Sequence, residues 1–198
     1  MKIKFLIILF LIVLISCRTN KKASKVNLIG NWSEIYKNSK TNQIIYQELY
    51  FTKDTMEVFD PIRRLHLPSG YELKKDSIYF YPVSYDTTLK GKIKIKNNNE
   101  LLFEFNDWNA SLKRIEDKGW HIDSLIKTGV DRRGIDEYKR EKIYRNFIEN
   151  QFWIREIKYR IYLGIENKDS LIKYWKKCLA DSTIGDKYIY KNFLKNIE

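Results

Sequence analysis

The chain has 198 residues, 43% hydrophobic and 31% charged, with 8 Gly and 3 Pro, which excludes a collagen-like or low-complexity disordered chain and leaves room for one domain with an appendage. Two Cys and two His exclude a disulfide-dense scaffold, a four-thiolate zinc site and any site of three histidines. The net charge is +12, but the 37 Lys and Arg are spread among 25 Asp and Glu, a pattern that reads as a solvated basic surface and not as a nucleic-acid face. The first element is the apolar run Phe5 to Ile15, preceded by Lys2 and Lys4 and followed by Leu14-Ile15-Ser16-Cys17 and the polar stretch from Arg18 to Lys22. Eleven apolar residues are too few for a bilayer-spanning helix, which needs roughly 20. They fit the core of a secretory signal.

Leu14, Ser16 and Cys17 stand three before, one before and at a cysteine, and in this they resemble the bacterial lipobox. The resemblance implies a signal peptide over residues 1–16, cleavage between Ser16 and Cys17, and a diacylglycerol thioether plus an N-acyl chain on Cys17. These lipids, and no other cofactor, are expected. Two or three acyl chains anchor a protein stably where one does not. Residues 17–26 then form a lipidated tether, whose four cations and lack of anions suit either contact with anionic headgroups or plain solvation. Arg18 in place of Asp makes the outer membrane the expected side of the bacterial envelope.

Residues 27–115 carry short β-branched and aromatic runs separated by polar turns. Strands are expected at Ile29–Tyr36, Ile44–Thr52, Thr55–Phe59, Gly70–Lys74, Ser77–Tyr81, Leu89–Lys96, Leu101–Asn106 and Asn109–Ile115. Lys92 to Lys96 alternates Lys with Ile, and Lys53-Asp54, Lys75-Asp76 and Asn97-Asn98-Asn99 supply turns. No helical pattern intervenes, so the runs predict an antiparallel meander. Gly30-Asn31-Trp32 on the first strand resembles the G-x-W signature of the lipocalin-like (calycin) family. Leu49-Tyr50-Phe51, Tyr71-Glu72-Leu73, Ile93, Leu101, Phe103 and Leu112-Lys113-Arg114 are similar to the rest of that layout. The resemblance implies a small barrel in which Arg114 packs on Trp32 and closes one end. Phe51, Met56, Val58, Phe80, Phe103 and Phe105 are expected to face its interior, as core or as the lining of a ligand pocket. The segment Asp60 to Pro68 is an insertion relative to the family.

Residues 116–198 change period. A helix is expected over Ile135–Asn150, with Tyr138, Tyr144, Phe147 and Ile148 at helical spacing. Ile154–Leu163 either extends it or, by its alternation, forms a strand. Asn167 or Asp169 is placed to cap a helix from Ser170 to Leu179, and Asp186 one through Ile197. The fold class expected is therefore a small antiparallel barrel followed by a mainly helical region with a lid or partner-binding role, or a decorated continuation of the barrel. Cys178, in step with Leu171, Tyr174 and Trp175, reads as buried packing.

No chemistry-bearing motif emerges. His66 and His121 belong to no ligand or triad spacing, and there is no nucleophile elbow, phosphate loop or calcium loop. Neither catalytic nor metal-ligating residues are expected, and the protein is not expected to be an enzyme. Two functions remain: a non-catalytic interaction module for another envelope protein, and a carrier of a small apolar ligand. Beyond these the partner is membrane lipid, through Cys17, and not nucleic acid.

Overall fold

The computed structural model describes residues 27–38, 41–83, 87–130, 134–185 and 187–198. The lipobox with Ser16 and Cys17, the tether, the Asp131 to Arg133 stretch and the Asp186 cap lie outside the described residues. The strands are β1 (Gly30–Lys37), β2 (Ile44–Phe51), β3 (Thr55–Asp60), β4 (Arg64–Leu65), β5 (Ser69–Lys74), β6 (Ser77–Tyr81), β7 (Leu89–Asn97), β8 (Glu100–Glu104) and β9 (Asn109–Arg114). Each of the eight expected strands is present, shifted at its ends by a few residues.

Every ladder is antiparallel, in the order β2-β1-β9-β8-β7-β6-β5-β3, and β3 pairs back onto β2. The result is a closed eight-stranded meander, the lipocalin-like barrel expected from the sequence. The two-residue β4 folds onto the end of β3 and belongs to the insertion after Asp60. No alternating run marked it, and Arg64 takes φ +67, a left-handed conformation unusual for Arg.

Alternation decides what each strand buries. On β1, Trp32 and Tyr36 point into the barrel, while Ile35 points outward, and all residues from Trp32 to Ile35 are buried. An outer strand face is buried only if something covers it. The cover is the C-terminal region, with helices α1 (Ile122–Lys127), α2 (Glu137–Phe147), α3 (Trp153–Tyr162), α4 (Lys168–Ala180) and α5 (Tyr188–Ile197). A π-helical turn at Ile148–Phe152 joins α2 to α3. Ile154–Leu163 is thus helical, not a strand: Tyr159 packs into the core against the barrel wall and Ile154 into the core among the helices.

Three cores result. The barrel interior holds Trp32, Leu49, Phe51, Ile78, Phe103 and Leu112. A second core lies between wall and helices, where Ile35, Tyr46 and Phe59 meet Leu125, Phe147 and Phe152. Phe59 sits edge-on to Phe147 and Phe152 with centroids 4.9 and 5.4 Å apart. The third joins α3, α4 and α5 around Ile154, Trp175 and Phe193. Helix ends follow their local chemistry. Asp136 accepts from Lys139 N at 2.9 Å and Asn167 from Ser170 N at 2.9 Å. Gly164, at φ +70, ends α3, with Ile165 N donating to Arg160 O. The helices cover the flank of the barrel formed by β1, β2 and β3, which makes them a wall and not a lid.

Candidate functional site

The two ends of the barrel differ. At one end the chain enters at Asn27 and the connections are the tight links β2–β3, β5–β6 and β7–β8. Here the Arg114 guanidinium lies 4.2 Å from the Trp32 ring centroid and donates to Ile29 O at 2.8 Å and Asn27 O at 2.7 Å. The Trp32 indole N–H donates to Leu28 O at 2.7 Å. A Cβ on Gly30 would stand 2.9 Å from Arg114 Nη1, and the backbone there has φ +121, so the glycine of the G-x-W signature leaves passage for the guanidinium. This end is plugged.

The other end carries the longer connections β1–β2, β3–β5 and β6–β7 and the Trp108 corner between β8 and β9. Beneath it lies a cavity of about 180 Å³ lined by Leu49, Met56, Phe80, Phe103 and Trp108, with Ser69, Pro82 and Leu89 toward the rim. Two polar side chains reach into this apolar space, Glu34 and Gln47, which face one another across β1 and β2. Glu34 is 2% exposed, and its Oε2 accepts from Gln47 Nε2. Burial pushes its carboxyl up to about 7, against the lowering effect of the Gln47 amide. Tyr36, one inward position further on, is raised first by burial and then by the Glu34 charge.

Of the interior residues expected from the sequence, Met56, Phe80 and Phe103 line the cavity. Phe51, Val58 and Phe105 do not border it; of the two roles left open for them, core or lining, they take the first. Phe51 is wedged edge-on between Tyr71 and Phe103 deeper in the barrel, with centroids at 5.3 and 6.5 Å. Val58 packs against the barrel core opposite Leu49 without bordering the cavity. Phe105 stacks on Trp108 at 4.2 Å and supports it from behind. Sequence reading missed Glu34, Gln47 and Trp108. The signal for the first was its position: two residues after an inward Trp32, it must also point inward.

A buried ionic cluster lies one strand away, on the outer face. Glu48, fully buried, accepts from Arg155 Nε at 2.7 Å and Nη2 at 3.0 Å, and from the Tyr46 hydroxyl at 3.0 Å. Arg155 also donates to Trp120 O at 2.9 Å and approaches Asp117 at 3.5 Å. Burial alone would lower the guanidinium, but the Glu48 charge and its hydrogen bonds hold it above its ordinary value. Every strong donor and acceptor is used internally, and the cluster bolts α3 to the barrel wall. His121 bonds Asp117 at 2.9 Å beside it.

A larger groove of about 610 Å³ runs outside the barrel between the insertion and α2, lined by Arg63, Arg64, His66, Arg140, Glu141 and Tyr144 among others. Two of its lining side chains are paired locally, Arg64 with Glu141 at 3.1 Å and His66 with Asp60 at 2.6 Å. Asp60 also takes the amides of Ile62 and Arg63 at 2.8 and 2.7 Å, which folds the insertion back on itself. The groove is large and lies outside the barrel; the barrel cavity is small and holds a buried carboxyl.

Comparison with known proteins adds little. No protein-family model matches the sequence, and no curated protein is significantly similar to it. Among solved structures, the chain is similar to a lipocalin-like protein from Bacteroides uniformis, at 15% identity, over 44% of this chain and 98% of that one, with a TM-score of 0.36.

Proposed function

We propose that this is a non-catalytic binding protein of the bacterial envelope, moored through lipid on Cys17, whose barrel holds one small and largely apolar molecule. The observation that carries the reading is the void of about 180 Å³ beside a buried carboxyl. Small barrels whose role is structural fill their interior with side chains. This one keeps a space about the size that holds benzene, roughly 150 Å³, and sets a costly polar pair in its wall. Drug-sized pockets begin near about 300 Å³. The ligand is therefore a single-ring or short branched compound, and an acyl chain does not fit.

The mooring reading rests on Leu14, Ser16 and Cys17 after an eleven-residue apolar run. Incorporation of labelled palmitate, lost in Cys17→Ser, is the expected result; an unlabelled wild-type band would defeat the mooring. Ligand binding is tested by adding benzyl alcohol to the full chain with its tryptophan indoles labelled with ¹⁵N. The Trp108 indole resonance is expected to shift, and Leu89→Trp, a change at the half-exposed rim, is expected to abolish the shift. No perturbation of Trp108 by compounds of this size would refute the reading.

A protein-binding role is favoured by one separate feature. Ile62 and Leu67 stand 91% and 71% exposed on the insertion beside the outer groove. A photo-crosslinker at Ile62 is expected to trap an envelope partner in cells that Leu67→Ser releases. Identical products from both chains would remove this reading.

A further inference from the structure

Buried carboxylates in folded proteins are paired with cations or bonded by several donors, because an isolated charge in an apolar medium is severely penalised. Glu48 obeys this, with a bidentate Arg155. Glu34 does not. Among the described residues it takes part in no ion pair, and Gln47 is its one recorded side-chain partner. It is nonetheless 2% exposed and reaches into a cavity of about 180 Å³. The remaining walls include three aromatic side chains, Phe80, Phe103 and Trp108. A carboxyl without a counter-ion, enclosed with aromatic rings, is complementary to one kind of polar group. An ammonium satisfies the carboxylate through a charge-assisted hydrogen bond, and its remaining surface is attracted to ring faces. A carboxylate or phosphate ligand would be repelled by the ionised Glu34, and a neutral hydroxyl would leave that charge uncompensated.

We infer that the barrel selects a small primary amine, bound as its ammonium by Glu34 within the aromatic cavity. This rests on the ligand-binding reading above and specifies the class of its ligand. No covalent step is involved. The ammonium occupies the place that Arg155 fills for Glu48, and Gln47 holds the carboxylate in position by its second oxygen. Binding then requires Glu34 ionised and the amine protonated. The titratable groups that feel the Glu34 charge are Tyr36 on the same strand and Tyr159 of α3. Both are phenols raised by burial and stay neutral across the relevant range. Asp60 and Arg63, near the mouth, act on Tyr36 with opposite signs. Ionisation of Glu34 is therefore the event that controls the site in this range, and amine affinity rises as pH increases from about 5.5 to about 8.

The test compares benzylamine with its neutral isostere benzyl alcohol, by calorimetry on the full chain. At about pH 8 benzylamine is expected to bind at least about tenfold more tightly than benzyl alcohol. The preference is expected to shrink toward parity at about pH 5.5, where Glu34 holds its proton. Glu34→Gln keeps the shape and is expected to lose the preference for the amine over the alcohol. Equal affinities in the wild-type chain at both pH values would overturn the inference and leave the ligand-binding reading intact. A preference that survives Glu34→Gln would also overturn it. If neither compound binds, the ligand-binding reading falls, and this inference falls with it. Should Glu34→Gln fail to fold, the wild-type pH comparison decides alone.

Discussion

Glu34 and Glu48 stand on adjacent strands of the same barrel, both almost wholly buried, and the chain treats them in opposite ways. Glu48 faces outward beneath the helices, where Arg155 and the Tyr46 hydroxyl compensate its charge. Glu34 faces inward, where an amide is its recorded partner and burial raises its carboxyl to about 7. The outer site serves the fold, since it joins a helix to a sheet. The inner one works against the fold at neutral pH, and such a cost is kept where a site needs the group.

The sharpest way to break this contrast is to take the cation from the outer site. Arg155→Met leaves Glu48 buried without its counter-charge, and is expected to destabilise the protein by about 3–5 kcal/mol in urea denaturation. Converting Glu48 to Met in the same chain is expected to restore much of that loss. A cost below about 1 kcal/mol for the single change would mean that the cluster is not what holds α3 to the wall.

The inner site is expected to respond with the opposite sign. Glu34 ionises near 7 in the folded chain and near 4.5 when free, so the folded state keeps the proton longer. Its contribution is fully present below about pH 4.5, is lost as pH rises through about 7, and stays absent above. Glu34→Gln is therefore expected to exceed the wild type in stability by up to about 3 kcal/mol at pH 8, with no difference near pH 4. Melting curves across pH check this, and a constant difference at all pH values would contradict it. The smallest effect concerns the amide. Gln47→Leu removes the hydrogen bond that steadies the ionised Glu34, and is expected to cost about 1 kcal/mol at pH 8 and less at pH 5. It also moves the Glu34 titration further up, a change that NMR of the carboxyl carbon follows.

The barrel was legible because its signals are local. Alternation such as Lys92 to Lys96, and turns such as Asn97 to Asn99, fix strand and hairpin within ten residues. The helices of the appendage were legible for the same reason, Asn167 above all. What stayed hidden is long-range. Glu48 and Arg155 are 107 positions apart, and nothing in either neighbourhood announces the other. The six-residue α1 is held by Asn31 and Asp123, 92 positions apart, and is too short to show a period of its own. For the cavity, parity named the inward side chains but not their depth. Phe51 and Met56 are register partners across β2 and β3, yet Met56 borders the cavity with Phe103 while Phe51 packs in the filled core. Strand tilt and stagger decide that, and neither is written in a single strand.

The plug formed by Trp32 and Arg114 has one more consequence. A vessel sealed at its base has a single door, so whatever enters must back out along the same route. Nothing is handed through the molecule from one face to the other. On the proposed binding reading such a cup stores, buffers or senses its guest, with occupancy following the concentration outside its rim; a conduit would need the guanidinium to lift from the indole.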